Sequence, residues 1–418
     1  MSIRLRGLLA ALLAAGPAFA QDGETRFSLH GVGEARGTAT GRETSWLDGG
    51  LGKLRLGGDG TGRDAELRLP NLALVARFDA GDALTLRVHV RGDADPERTP
   101  IQTRVDVVEA FALGRADVSD LLGLRLKAGV FFPPVSLEND GLAWLPTRTL
   151  TPSAVDSWIG EEVRATGAEL TARFLMTRSD LALFGAIFGA NDPAGTLLAW
   201  RGFSLHDRIT GRSEHLPLAP LPSIAPDGLF PLQAPWTAPF REVDGRAGWY
   251  AGVSYRLPER LLAQALVWDN NGDPTSFDGS QYAWDTAFSA FGLRVTLPAR
   301  IELLGQVLQG RTRMGLGPAV DVRFLAWYGL ATASLGRFRV TARYDAFSAD
   351  DEDPYRAADP NDEDGHALTA SFSFEATRWL SLWLEALRVS SDRPARALLG
   401  TPAGVQDDQL QLALRASF

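Results

Sequence analysis

Apolar and polar positions alternate along most of this chain. From Ala83 to Arg91, Leu84, Leu86, Val88 and Val90 share one face of an extended segment, and Arg87, His89 and Arg91 share the other. The same period sets Leu122, Leu124, Leu126 and Val130 against Arg125 and Lys127, and Trp249, Ala251, Val253 and Tyr255 against Arg246, Ser254 and Arg256. Phe338, Val340, Ala342 and Tyr344 oppose Arg337, Arg339, Thr341, Arg343 and Asp345. At the carboxy-terminus, Leu410, Leu412, Leu414, Ala416 and Phe418 alternate with Gln409, Gln411, Arg415 and Ser417. A period of two belongs to strands with one apolar and one wet face. One such strand says little; about a dozen in one chain predict an all-β protein.

The links between these strands differ in length in a regular way. Tight ones fall at 79–83, 177–180, 257–260, 297–300, 335–337 and 376–378, and long ones at 93–102, 133–165, 191–245, 270–281, 348–364 and 390–406. A soluble sandwich has no need of this. A transmembrane antiparallel β-barrel does, with short periplasmic turns and long extracellular loops. Arg26–Arg36 and Glu66–Asp79 read as strands, whereas Leu51–Gly58 reads equally as a strand or as part of a loop. The expected count is about 16 strands, within about 14–18.

Composition agrees with a barrel. Hydrophobic residues make up 45% of the chain, with 43 Gly and 11 Trp. No stretch after the amino-terminus reaches the roughly 18 consecutive apolar residues of a membrane helix. Residues 1–20 read as a secretory signal: Arg4 and Arg6, an apolar run from Leu8 to Ala15, and Ala18-Phe19-Ala20 at a cleavage site. Residues 21–418 are then the barrel. The absence of Cys fits an oxidising periplasmic route and excludes thiol catalysis. A formal charge of −9 argues against nucleic acid as a partner.

The closing strand, ending on Phe418 itself, resembles the last strand of Gram-negative outer-membrane barrels, whose terminal Phe is typically read by the barrel-assembly machinery. The segment Gly129-Val-Phe-Phe-Pro-Pro-Val-Ser-Leu-Glu138 ends a strand on two prolines, which cannot continue a central ladder. That junction resembles the phosphate-selective porin O/P-like group, in which a similar strand end leads into a pore-narrowing loop. The resemblance implies an outer-membrane location in a Gram-negative bacterium and contact with outer-membrane lipid and lipopolysaccharide. By the habit of general porins it also implies a homotrimer. It does not carry phosphate over, because the 133–165 segment lacks a dense run of Arg or Lys.

About 16 strands leave an aqueous lumen, where about eight would be filled by side chains. A charge on the lipid face costs roughly 2–4 kcal/mol at the midplane, so charged positions of the strands should face inward. Pore-lining candidates are Arg87, Arg91, Arg125, Lys127, Arg173, Arg246, Arg294, Arg323, Arg339 and Arg343. They fit either a track for anions or a ladder of ion pairs that stiffens the wall. Pro133–Ala165 is the candidate constriction, with Glu138, Asp140, Arg148, Asp156, Glu161, Glu162 and Arg164; a lid folded outside is the alternative. Trp249, Tyr250, Tyr255, Trp268, Tyr282, Trp284, Trp327, Tyr328, Trp379 and Trp383 are expected in the interfacial aromatic girdles.

The Pro-rich segment 191–245 should form a semi-rigid cap, and His206 and His215 within it lack metal-ligand spacing. The acidic 348–364 segment lacks the ligand spacing of a calcium loop, so neither a metal nor a cofactor is expected. No nucleophile elbow, zinc-protease helix or phosphate loop occurs, which argues against an enzyme. The functional expectation is passive diffusion of small hydrophilic solutes, with anion preference as its finer form. A non-conducting structural or adhesive barrel and an exporter of an acidic polysaccharide stay open beside it.

Overall fold

The structure is a computed structural model that describes residues 21–22, 25–58, 64–92 and 105–418. The expected signal peptide and the 93–102 link lie outside the described residues. Sixteen antiparallel strands form one closed barrel. They are β1 (Thr25–Thr40), β2 (Asp64–Ala80), β3 (Leu84–Gly92), β4 (Val105–Ser119), β5 (Leu122–Phe131), β6 (Ala165–Leu175), β7 (Asp180–Gly189) and β8 (Gly248–Leu257). Then come β9 (Leu261–Asp269), β10 (Asp285–Leu297), β11 (Ile301–Met314), β12 (Val320–Leu335), β13 (Phe338–Asp351), β14 (Glu363–Glu375), β15 (Leu380–Asp392) and β16 (Gly404–Ser417).

Every strand pairs with its neighbours in sequence, and β16 closes on β1 from Gln409↔Thr40 to Ser417↔Val32. Phe418 finishes the seam: its N–H donates to the Gly31 carbonyl and its own carbonyl accepts from the Gly31 N–H, both at 3.1 Å. Closure matters because an open edge would leave unpaired backbone groups in hydrocarbon. Among the described residues no helix is long and apolar enough to cross a membrane.

The alternation read from sequence becomes two faces. On β16, Leu410, Leu412 and Leu414 are exposed on the outside while Gln409, Gln411 and Ala413 are buried inside. On β13, Val340 and Tyr344 face out and Thr341, Arg343 and Asp345 face in. An exposed apolar belt around a polar interior is the surface of a membrane-spanning barrel. Trp249, Tyr255, Trp327 and Trp379 belong to that outer surface.

Other expected girdle members do not. Tyr250, Trp268, Tyr328 and Trp383 are buried at inward positions of their strands, and Trp284 is buried among loop residues. They sit on the inward parity, where the folded-in loops provide apolar partners that an empty lumen would lack.

The tight turns lie at one end of the barrel with both termini of the strand seam, and the long links lie at the other. One link at the loop end is short as well: Gly315 and Gly317, at φ +85 and +68, let the chain turn between β11 and β12. Leu51–Gly58 belongs to the loop between β1 and β2, with Leu54 bridged in parallel to Leu205.

Candidate functional site: the barrel lumen

The link between β5 and β6 folds into the barrel. It carries α1 (Ala154–Glu162), all of whose residues are buried, and it bonds to inward side chains on the far wall. Gln306 on β11 accepts from the Leu137 N–H and donates to the Val135 carbonyl, each at 2.8 Å. Glu385 on β15 accepts from the N–H groups of Leu150 at 2.6 Å and Thr151 at 3.0 Å. Asp345 on β13 accepts from Ala154 N–H at 3.1 Å, and Ser153 caps α1 through Asp156 N–H at 3.2 Å. A helix this short is marginal alone, so its stability comes from this packing. The two prolines at 133 and 134 stop the β5 ladder and turn the chain inward.

Arg343 is the densest junction between this loop and the wall. Its guanidinium donates to Asp345 at 2.8 Å, to the carbonyls of Thr151 and Pro152 at 2.7 and 2.9 Å, and to Glu138 at 3.3 Å. Arg148 holds Asp140 at 3.0 Å and also bonds Glu302, while Arg294 reaches the same Asp140 at 3.0 Å. Asp156 is buried beside this junction. Burial first, and then the charge of Glu138, hold its carboxyl well above the ordinary range.

The Pro-rich segment between β7 and β8 fills the lumen above α1. Its helix α2 (Thr196–Trp200) is buried throughout, and Phe203 and Phe240 are buried with it. Glu162, at the end of α1, ties the two segments together by accepting from Gly195 N–H at 3.2 Å, Leu197 N–H at 3.0 Å and Trp158 Nε1 at 2.7 Å. Burial pushes its carboxyl up to about 7 against those donors. Burial would also raise Glu161, but Arg201, with contacts of 3.0 and 2.5 Å, and His206 at 3.0 Å bring it down to about 2. His206 is thus a buried polar partner of Glu161, and burial in turn lowers its own pKa and disfavours its charged form. Arg164 lies 3.7 Å over the Phe132 ring and donates to the carbonyls of Val108, Gly160 and Thr210; burial lowers it to about 9. From the β1–β2 loop, Lys53 inserts against Glu363 and the Phe203 carbonyl, and burial lowers it to about 7.

The turn end of the lumen is different. Side-chain exposure of inward residues falls from 49% at Arg256 through 28% at Arg173 and 17% at Lys127 to 9% at Glu169. These exposed arginines line a solvent-open vestibule at the turn end, and the Lys127–Glu169 pair, 3.1 Å from nitrogen to oxygen, lies at its less exposed inner side. Above that pair Phe132 stacks on Trp144 with centroids 4.0 Å apart, and Lys127 lies 4.2 Å over Phe131.

Of the expected wall residues, Arg87, Arg91, Arg125, Lys127, Arg173, Arg294, Arg339 and Arg343 occupy inward positions. Arg91 pairs with Glu214 at 3.0 Å, Arg87 lies 3.7 Å from Glu109, and Arg339 bonds the Thr147 carbonyl. Two expectations need correction. Arg246 lies in the loop before β8 and pairs with Asp273 at 2.9 Å. Arg323 points outward at the loop end of β12 and pairs with Glu352 at 3.0 Å. The rule that strand charges face inward holds only at membrane depth, and both residues lie beyond it.

Sequence reasoning left out Arg115, Gln306 and Glu385, although inward parity on their strands was the available signal. Among the described residues one acidic trio, Asp192, Glu242 and Asp244, is compact enough to hold a metal ion. Asp192 already accepts from the N–H groups of Val243 and Asp244, at 2.5 and 3.2 Å.

No family model matches the chain, and no curated protein matches it. Solved structures do share its fold. The outer membrane channel DcaP of Acinetobacter baumannii is similar at 13% identity and a TM-score of 0.58, over 96% of this chain and all of that one, 100%. An anion-selective porin from Comamonas acidovorans is similar at 13% identity and 0.53, over 94% and 100% of the two chains. OmpF of Salmonella typhi, in complex with daunomycin, is similar at 12% identity and 0.53, over 96% and 100%. The chain therefore has the sixteen-stranded architecture of outer-membrane porins.

Proposed function

We propose that this barrel is a gated channel for passive diffusion of small hydrophilic solutes across the outer membrane of a Gram-negative bacterium, with a preference for anions. The observation that carries the reading is the vestibule: a polar, water-exposed, arginine-lined entrance leading to loops that are themselves held by polar contacts. Cationic side chains on the wall of a narrow aqueous path raise the local anion concentration. On this reading the turn end faces the periplasm, the outer belt meets lipid and lipopolysaccharide, and Phe418 presents the closing strand to the assembly machinery. The similar folds named as a channel and as an anion-selective porin support the reading at the level of architecture. So does the inward course of the 133–165 loop, the part of the porin O/P-like pattern that bears on solute passage. A homotrimer accords with the general porin habit and would appear as a threefold mass on light scattering in detergent.

A second reading rests on one observation. Complete burial of α1 and α2 puts packed segments into the lumen, as a plugged, non-conducting surface barrel would have. Planar-bilayer recording separates the two. Discrete steps from purified, folded barrel support the channel, and a folded barrel that stays silent across voltages defeats it. Reversal potential in a salt gradient tests the preference: cation selectivity would remove the anion part. Block by an anionic oligosaccharide but not by a neutral one would instead favour an exporter of acidic polysaccharide.

A further inference from the structure

We propose that the vestibule wall holds a binding site for a small dianion bearing carboxylate or phosphate oxygens, centred on Arg125. Its physiological use rests on the anion-preferring channel, although the site itself is a matter of local geometry.

Most lumen cations already have an acid. Lys127 has Glu169, Arg294 has Asp140, and Arg343 has Glu138 and Asp345. Arg125 is different: among the described residues it makes neither a hydrogen bond nor an ion pair, and the charges that act on it are chiefly other arginines, Arg173, Arg115 and Arg256. The register explains the crowding. Arg115 on β4 stands directly opposite Arg125 on β5, and Arg173 on β6 faces Gly123 two residues away. Arg256 on β8 stands opposite Asp180 on β7. Like charges placed directly opposite in a ladder destabilise it, so this arrangement calls for a counter-charge.

The protein provides too little of one. Asp180 accepts from Arg173 at 2.8 Å and lies 3.3 Å from Arg256. Arg115 donates to the Thr85 hydroxyl at 2.8 Å, and Asp79 beyond it is taken by Arg77. Asp117 lies two residues from Arg115 toward the turn. Four guanidiniums against Asp180 and Asp117 leave a formal surplus of about two positive charges. Each guanidinium has five donors in a planar fork that matches carboxylate or phosphate oxygens, and those of Arg125 are all unengaged. A dianion fits the surplus, and a monoanion leaves half of it.

The test is calorimetric titration of the full barrel, purified in neutral detergent and low chloride, with inorganic phosphate, malonate and acetate. Saturable binding of phosphate or malonate, tighter than acetate and weakened about tenfold to a hundredfold in Arg125→Gln, is expected. Arg125→Lys should retain part of the affinity, since it keeps the charge and loses the fork. Heat-modifiable migration on gels checks that each variant is folded. Phosphate alone binding would identify a phosphate site, and malonate alone a dicarboxylate site. No saturable binding of either dianion, or equal affinity in Arg125→Gln, overturns the site. A barrel that binds but never conducts would keep this site and discard the channel; one that conducts without binding would do the reverse.

Discussion

Replacing Arg343 with Met should unlatch the constriction loop. The side chain is fully buried, so Met fills much of the space while removing every donor. Glu138 and Asp345 lose their shared cation, and the carbonyls of Thr151 and Pro152 lose their partner. Removing one member of a buried ion pair costs about 3–5 kcal/mol, because the remaining charge stays desolvated. Most of these contacts join the loop to the wall, so the cost falls on loop seating and not on the barrel ladder. At about 1.4 kcal/mol per tenfold, the released population rises by roughly a hundredfold to a few thousandfold.

Trypsin reads this directly, because Arg148 lies in the loop and is 8% exposed at its side chain in the seated state. Cleavage after Arg148 should accelerate in proportion to the released fraction when reclosing is fast. Mean conductance in planar bilayers should increase in parallel, and the β-sheet circular dichroism should be unchanged. Arg343→Lys, keeping the charge without the fork, should fall between. Unchanged cleavage at Arg148 together with unchanged conductance would refute the assignment of Arg343 as the latch.

Three further outcomes follow from particular contacts. Gly195 sits at φ +106, and a Cβ there would run into the hydroxyls of Thr312 and Thr286, so Gly195→Ala should destabilise the seating of α2 by about 1–3 kcal/mol. Hydrogen exchange at 196–200 should accelerate while β11 and β12 stay protected; equal protection would contradict the packing. Leu412 is 63% exposed on the outer belt, so Leu412→Arg should cost about 2–4 kcal/mol in lipid vesicles, measured by guanidinium unfolding. No difference from the parent chain in vesicles would contradict a lipid-facing position. Burial raises Glu162 from its ordinary 4.5 to about 7, so the folded state holds its proton more tightly than the unfolded one. Its contribution to the α1–α2 junction is full below about pH 4.5 and is lost as pH rises through about 7, by roughly 3 kcal/mol in all. Exchange at 196–200 should therefore be faster at pH 8.5 than at pH 5 after correction for intrinsic rates, and Glu162→Gln should flatten that difference; a pH-dependent Gln variant would sink the assignment.

Period two along Leu410–Phe418 and Phe338–Asp345 was enough to specify strands, their lipid face and their lumen face, because side-chain direction in a strand depends only on position parity. Link lengths then specified which ends carry turns, and together these determined an antiparallel barrel of about the observed size. Parity could not say how deep a residue lies. Arg323 and Arg246 read as wall residues for that reason, and Tyr250, Trp268, Tyr328 and Trp383 read as girdle residues although they face inward. The constriction loop was visible in sequence as a strand ending on two prolines, but its destination was not. That depends on Gln306, Asp345, Arg343 and Glu385, which are brought to it from strands as many as 235 residues later by closure of the ring. Local periodicity therefore determined the wall, since each strand's faces are set by its own residues. Only the tertiary structure decided what fills the wall and that Arg125 is left without a partner among the described residues, because those depend on register between strands and on loops crossing the lumen.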